Sequence, residues 1–94
     1  MTNFFSDTLT GDAAKWKSCI KEKTDYGGAD ISGGQSYGFG TEWDCMGWCI
    51  NTATCKSITY RASDGHCWLK HKPYGDRQSA NNGLTSISLT CMQS

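Results

Sequence analysis

The sequence predicts a small α+β domain that is held together by disulfide bonds. Three observations support this fold class. Six cysteines are spread over only 94 residues, positions 41–51 repeat apolar side chains at helical spacing, and the chain after position 55 alternates as β-strands do. A domain of this size buries only about 60% of the surface that its unfolded chain exposes, so cross-links are expected to supply much of its stability.

The amino-terminal part divides into a linker and the start of the domain. Residues 1–12 have no apolar periodicity and are interpreted as a linker or flexible segment, and residues 13–94 as one domain. Residues 15–23 could form the first strand, with Trp16 and Ile20 on one face. The chain begins without a signal peptide, which predicts a module of a longer protein.

A glycine-rich segment follows. Six of the eleven glycines fall between Gly27 and Gly40, which predicts a loop, a turn or the edge of a sheet. Residues 34–38 fit the G-x-S-x-G pattern of a serine nucleophile, but that pattern works on a strand-to-helix turn of a large α/β sheet. Because 94 residues are too few for such a sheet, we interpret the segment as a loop without a catalytic serine, and Asp30 as a structural residue that caps a turn.

The helix is predicted over residues 41–51. Thr41 is placed to cap its first turn, and Asp44 stands where an acid can reach back to the cap amide. Four side chains recur at i, i+3, i+4 and i+7 and share one face: Cys45, Trp48, Cys49 and Thr52. This spacing places Trp48 in the core.

The second half of the domain is predicted to be β-structure. Residues 57–61 and 66–70 are rich in β-branched and aromatic side chains and flank an Asp64-Gly65 turn, so they predict a hairpin. Residues 84–90 alternate apolar and polar side chains and predict a half-buried strand that ends at Cys91. If Cys67 and Leu69 point at the helix, Trp68 points to the opposite face of the sheet.

The six cysteines permit fifteen pairings, of which we predict one from helix geometry, reach and elimination. Side chains four apart on a helix are about 5 to 6 Å apart at Cβ, wider than a disulfide needs, so Cys45 and Cys49 should not pair with each other. Cys49 lies near the helix end and can close a short loop with Cys55, and Cys45 can reach the hairpin at Cys67. The remaining pair joins the first and last strands. The predicted bridges are Cys49–Cys55, Cys45–Cys67 and Cys19–Cys91.

The same cysteines could be imagined as metal ligands or nucleophiles. Four of them lie close in sequence to His66 and His71, and such a set suits tetrahedral zinc. An even count with two outlying cysteines fits bridges better, and a bridged sulfur is not a nucleophile. We therefore predict no metal, no cofactor and no enzymatic activity.

Charge excludes some partners. Nine basic and nine acidic side chains cancel, which removes the electrostatic case for nucleic acid or an anionic membrane as a partner. Positions 1–15 also lack an apolar run of the length needed to enter a bilayer. Because disulfides form and persist in oxidising compartments, the domain is expected to be secreted or extracellular.

Several of these segments resemble the PAN/apple domain family. The matching stretches are residues 26–31, the Cys45-x3-Cys49-x5-Cys55 spacing with residues 56–60, the Cys67-Trp68-Leu69-Lys70 strand, and residues 83–87 before Cys91. The resemblance covers the chain from Cys19 to Cys91. It implies a curled antiparallel sheet of about five strands that cradles one helix, and the Cys19–Cys91 bridge is similar to the third bridge of apple-type members.

The resemblance also implies a function. Family members bind proteins or carbohydrates without catalysis, and the sequence looks most like apple domains of apicomplexan microneme adhesins. The implied role is a binding module of a multidomain adhesin in a microneme or outside the cell. Its partner is expected to be a cell-surface glycan or protein receptor, beside neighbouring domains of its own chain. The alternative is a purely protein-binding or spacer module of a secreted protease or growth-factor-like protein.

We expect a ligand to bind where the chain leaves the second hairpin strand. This segment concentrates hydrogen-bond donors beside an aromatic ring, and Pro73 limits its backbone freedom. Its side chains should be replaceable without much loss of folding. The predicted binding residues are Lys70, His71, Lys72, Tyr74 and Arg77. The alternatives are an ordinary solvated loop, or a site in the glycine-rich stretch around Tyr37 and Phe39.

Overall fold

A computed structural model describes residues 18–93 as one antiparallel five-stranded sheet with a nine-residue helix on one face. The predicted linker, residues 1–12, lies outside the described residues. Along the sheet the strands run in the order β1-β5-β3-β4-β2. The elements are β1 (Ile20–Gly27), β2 (Asp30–Ser36), α1 (Glu42–Ile50), β3 (Ser57–Arg61), β4 (His66–Lys70), β5 (Arg77–Ser88) and α2 (Leu89–Gln93).

Helix α1 forms where the capping pattern predicts it. The Thr41 hydroxyl accepts a hydrogen bond from the Asp44 backbone N–H at 3.2 Å, which satisfies one of the free donors of the first turn. Met46 is fully buried beside the two cysteines of the helix, whereas Trp48 is only half buried and stacks on Phe39 at 5.6 Å. The prediction that Trp48 is a core residue is therefore only partly correct, because its ring packs against a core neighbour but is not fully buried. Met46 and Trp48 flank the cysteine face on opposite sides, and of the two only Met46 is part of the buried core cluster.

The β-hairpin has the predicted bounds, but the flanking strands differ from prediction. Strand β5 begins at Arg77, ahead of the apolar alternation, because its polar first half pairs with β1. It ends at Ser88, and the chain then turns into α2, which carries Cys91. Strand β1 begins at Ile20, later than predicted, and residues 15–17 lie outside the described residues. The glycine-rich segment contains β2 at the edge of the sheet.

The apolar core lies between α1 and one face of the sheet. Ile58, Leu69 and Ile87 point from three adjacent strands to this side and are almost completely buried. All six cysteines are bridged in the predicted pairs: Cys19–Cys91, Cys45–Cys67 and Cys49–Cys55. The second of these ties α1 to β4, and the third ties the end of α1 to the segment before β3. The helix is thus fixed on the sheet by covalent bonds as well as by packing.

Part of β1 and part of β5 fold over the opposite face of the sheet. The register of β1 and β5 shifts between Glu22 and Thr24, where Lys23 adopts a φ of 54°. Beyond this bulge residues 24–27 pair with residues 77–80, and we call these two paired stretches the curled ribbon. It lies over the sheet, because the Tyr26 N–H donates to Ser86 Oγ at 3.2 Å and Ser86 Oγ donates to the Thr24 carbonyl at 3.0 Å.

Neither α1 nor α2, nor any other helix within residues 18–93, is long and apolar enough to cross a bilayer.

Candidate functional site

A cavity of about 360 Å³ lies between the curled ribbon and the sheet face that points away from the helix. Its walls come from the ribbon, from β3, β4 and β5, and from the turn between β1 and β2. The lining residues are Asp25, Gly27, Gly28, Asp30, Thr59, Arg61, Trp68, Lys70, Arg77, Asn81 and Leu84. Strand alternation explains the floor, because Thr59 and Arg61 on β3 and Trp68 and Lys70 on β4 are the residues opposite to the core positions.

Lys70 and Asp30 form an ion pair at one side of the cavity. The Lys70 side chain is only 5% exposed, whereas the Asp30 side chain is 61% exposed, so the lysine lies deep and the carboxylate lies at the mouth. The pair joins β4 to the edge strand β2, since the two residues are also register partners. The prediction that Asp30 caps a turn is wrong. Asp76 has that role, because its Oδ2 accepts a hydrogen bond from the Ala29 N–H at 3.0 Å.

Another side of the cavity is a stack of planar groups. The Trp68 ring lies under the Arg61 guanidinium, with Cζ 5.3 Å from the ring centroid. The His66 ring stacks on Trp68 at 3.6 Å and contacts the Tyr37 ring at 4.0 Å. Arg61 also forms a bidentate ion pair with Asp64, through Nε at 3.0 Å and a terminal nitrogen at 2.7 Å.

The pKa values of His66 and Asp64, beside this stack, depart from their usual range. Burial and then the nearby Arg61 charge lower the pKa of His66, against a smaller opposite effect of Asp64. The hydrogen bond from Arg61 lowers the pKa of Asp64. The imidazole is therefore neutral and Asp64 charged at neutral pH.

The binding residues predicted from the sequence separate into two groups. Lys70 and Arg77 line the cavity, and the Lys70 side chain is almost completely buried. His71, Lys72 and Tyr74 lie outside the lining, because the chain turns away from the cavity after β4 ends. The two groups remain close in sequence but face different surroundings.

The three residues outside the lining have structural contacts of their own. The His71 N–H donates to the Ala29 carbonyl at 2.9 Å, and Lys72 Nζ donates to Asp76 at 2.6 Å. Tyr74 packs edge-on against Tyr26 at 5.7 Å. Burial, and then Tyr74, raises the pKa of Tyr26 to about 12. These contacts hold the β4–β5 connection against the β1–β2 turn.

Sequence reasoning missed several lining residues. The ribbon folds back over the sheet, and only for that reason do Asp25, Asn81 and Leu84 line the cavity. No local pattern in the sequence predicts the bulge at Lys23 that allows this fold. Arg61 could have been found, since strand alternation places it on the same face of the hairpin as Trp68.

The motifs that were weighed as catalytic or metal-binding have other positions. Residues 34–38 lie at the end of the edge strand β2 and in the bend after it, not at a strand-to-helix turn. Every cysteine sulfur is in a disulfide. Within residues 18–93 no group of three or more His, Cys, Asp or Glu side chains is arranged to hold a metal ion.

Comparison with known proteins identifies the family. A family model described as the PAN domain matches residues 24–70, which are half of the chain and include the β1 half of the ribbon, α1 and the hairpin. The chain belongs to the PAN domain family. No curated protein sequence gave a match.

Among solved structures, the chain is similar to the two N-terminal apple domains of Toxoplasma gondii microneme protein 4, determined in solution. The TM-score is 0.59 at 23% sequence identity. The match covers 76% of this chain but only 44% of that one, so this chain spans less than half the length of the structure that it matches. At this identity the similarity establishes the fold, which is that of a PAN/apple domain, as the resemblance of the sequence implies.

Proposed function

We propose that this domain is a non-catalytic binding module and that the cavity under the curled ribbon binds a carbohydrate. One observation carries the proposal: the cavity combines an aromatic ring, Trp68, with donors and acceptors from five separate elements. A pyranose ring has an apolar face that packs on aromatic rings and hydroxyls that need several hydrogen-bond partners. A cavity of about 360 Å³ is in the range that holds small ligands.

The charges of the lining support a neutral, hydroxyl-rich ligand. Three cations and two carboxylates line the cavity, and Lys70 is already paired with Asp30. Arg61 is paired with Asp64, which is not a lining residue. Because of these ion pairs the lining has no large net charge, although its hydrogen-bond donors and acceptors remain. Such a lining favours a ligand with hydroxyl groups over a strongly charged ligand.

The proposal extends to the setting of the domain. Three disulfides in 94 residues are typical of an oxidising compartment, and the related fold occurs as two apple domains in a microneme protein. On this basis the chain is one unit of a secreted, multidomain adhesin, with neighbouring domains of the same protein beside it. Its partner is a glycan on a cell surface.

A glycan array tests the proposal. We expect binding to one class of sugar, competed by the free monosaccharide, and loss of that binding in Lys70→Met, which removes a cavity donor but keeps the side-chain volume. Lys72→Met is the matched control, because Lys72 lies outside the lining and is expected to leave binding unchanged. Silence of the wild-type domain over the whole array, or equal loss in both variants, would contradict the carbohydrate proposal.

A protein receptor is the second candidate, and a separate observation favours it. Tyr37 and Tyr74 are the large apolar side chains that are most exposed among the described residues, at 62% and 44%. Tyrosine is enriched at protein interfaces, where it contributes contact area at low entropic cost. A receptor that binds the domain in the presence of competing sugar, and loses binding in Tyr37→Ala, would favour this function over the first.

A further inference from the structure

His66 lies outside the cavity but contacts two of the residues that form its wall. Its ring stacks on Trp68 at 3.6 Å with the planes 15° apart, and its Nδ1 is 3.3 Å from a terminal nitrogen of Arg61. The residue is only 4% exposed. Strand pairing explains the contact, because Arg61 and His66 are register partners in the hairpin and Trp68 follows two residues later on the same face.

The hydrogen bonds define the form of the imidazole. An arginine only donates, so Nδ1 of His66 must accept from Arg61. On the other side of the ring Nε2 is 2.9 Å from Gln35 Oε1, a carbonyl oxygen that only accepts, so Nε2 carries the proton. This is the neutral imidazole with its proton on Nε2. A protonated imidazole has no acceptor left for Arg61.

We propose that His66 is a positioning residue for the cavity: its neutral form holds Arg61 over Trp68, and its protonation releases Arg61 and weakens ligand binding as the pH falls. The effect on ligand binding rests on the proposed function, whereas the effect on Arg61 does not. The domain would then hold its ligand at neutral pH and release it in a mildly acidic compartment.

The surroundings of His66 are consistent with this role. Arg61 on β3 and Asp64 in the hairpin turn are the charged groups beside it, Tyr37 covers it after β2, and the Gln35 amide on β2 is neutral. Burial and Arg61 keep its pKa below the usual value, so the neutral form persists at physiological pH. Asp64 holds Arg61 through two further hydrogen bonds that do not involve the imidazole, so the guanidinium keeps a charged partner when it loses the contact with His66.

An NMR titration of the ligand-free domain tests the inference. We expect the Arg61 Nε–H and Trp68 indole resonances to shift with the same midpoint as the His66 ring, at a pH below its ordinary value of about 6.5. His71 is the other of the two histidines and lies outside the cavity lining, so His71→Gln should keep the step and His66→Gln should abolish it. Arg61 and Trp68 resonances that do not follow the His66 titration in the wild-type protein would overturn the inference, whether or not the variants fold.

A second measurement separates this inference from the proposed function. The glycan array is repeated at about pH 7.5 and about pH 5, where linkage predicts that affinity falls by up to about tenfold per pH unit below the His66 pKa. A glycan that binds equally at both values would overturn the proposed effect on affinity. Silence at both values would instead contradict carbohydrate binding, and the NMR titration would still decide the role of His66.

Discussion

The two faces of the central hairpin are both buried, but they differ in chemistry. On the helix side, β3 and β4 present Ile58 and Leu69, and a disulfide fixes α1 to the sheet. On the ribbon side, the same strands present Thr59, His66 and Lys70, each at most 4% exposed. Buried polar groups lower stability unless they are hydrogen-bonded. The ribbon side therefore stabilises the fold less than an apolar core of the same size would.

The polar face is satisfied by specific partners. Thr59 Oγ1 and Ser86 Oγ are 2.7 Å apart, and Ser57 Oγ donates to the Lys72 carbonyl at 2.7 Å. These bonds connect the hairpin to β5 and to the segment that follows β4. The apolar face and its bridges hold the fold, whereas the polar face gives up part of that stability to position the donors and acceptors of the proposed binding site.

The largest expected effect is on the helix side. Removing the bridge between α1 and β4 with Cys45→Ala/Cys67→Ala should lower the free energy of unfolding by about 3.4 kcal/mol, because it frees a 22-residue loop in the unfolded chain. The Cys49→Ala/Cys55→Ala variant, whose loop is 6 residues, should lose about 2.2 kcal/mol. Urea unfolding of both variants measures the difference, and equal or reversed losses would contradict it.

The next effect separates stability from binding on the polar face. Asp30→Ala leaves the buried Lys70 cation without its carboxylate and should cost about 2 kcal/mol. Lys70→Met removes the charge itself, and since Asp30 is largely solvated, the change in unfolding free energy should be within about 1 kcal/mol of zero. Urea unfolding checks both values. A larger loss of unfolding free energy in Lys70→Met than in Asp30→Ala would contradict this prediction and would mean that Lys70 mainly stabilises the fold.

A smaller loss is expected for Thr59→Val. The substitution keeps the shape of the side chain but removes the hydroxyl that pairs with Ser86 and faces the Tyr26 N–H at 3.4 Å, so it should cost about 1 kcal/mol. Thr54→Val is the matched control, because Thr54 is exposed and should change stability very little. If the two variants unfold at the same urea concentration, the hydroxyl network does not hold the ribbon on the sheet.

The last prediction concerns pH. Because the pKa of His66 is lower in the folded domain than in the unfolded chain, the unfolded chain binds more protons between those two values. The free energy of unfolding should therefore fall as the pH drops below about 6.5, and His66→Gln should remove that step.

Asp64 and Asp76 have lowered pKa values, so the stability that they contribute is lost only at more acidic pH, below about 4. Unfolding midpoints measured from neutral to acidic pH check the order of the two steps.

Much of the fold could be predicted because local signals agreed. The cap at Thr41, the Asp64-Gly65 turn and the cysteine spacing each fix an element within a few residues, and a disulfide between two known elements limits how they pack. The bounds of β1 and β5 could not be predicted in the same way. Their pairing depends on a bulge at Lys23 and on a polar stretch that has no alternation, so only the tertiary fold decides it.

The candidate site was predictable only in part. Lys70 and Arg77 were identified from their donor chemistry at the end of a strand, and both line the cavity. Asp25 and Asn81 lie far apart in sequence and face the cavity only when the ribbon folds over the sheet. A cavity formed by one strand folding over another has no contiguous motif, which is why the connection after β4 attracted the prediction instead.

The most direct test of the division between the two faces is chemical-shift mapping with the sugar that the glycan array selects. Titration into the labelled domain should perturb residues on the ribbon side, with the largest shifts at Trp68, Lys70 and Arg77, and leave the helix-side residues Ile58 and Leu69 nearly unchanged. Shifts centred on Tyr37 and Phe39, or on the half-buried helix residue Trp48, with the cavity residues unaffected, would contradict the account.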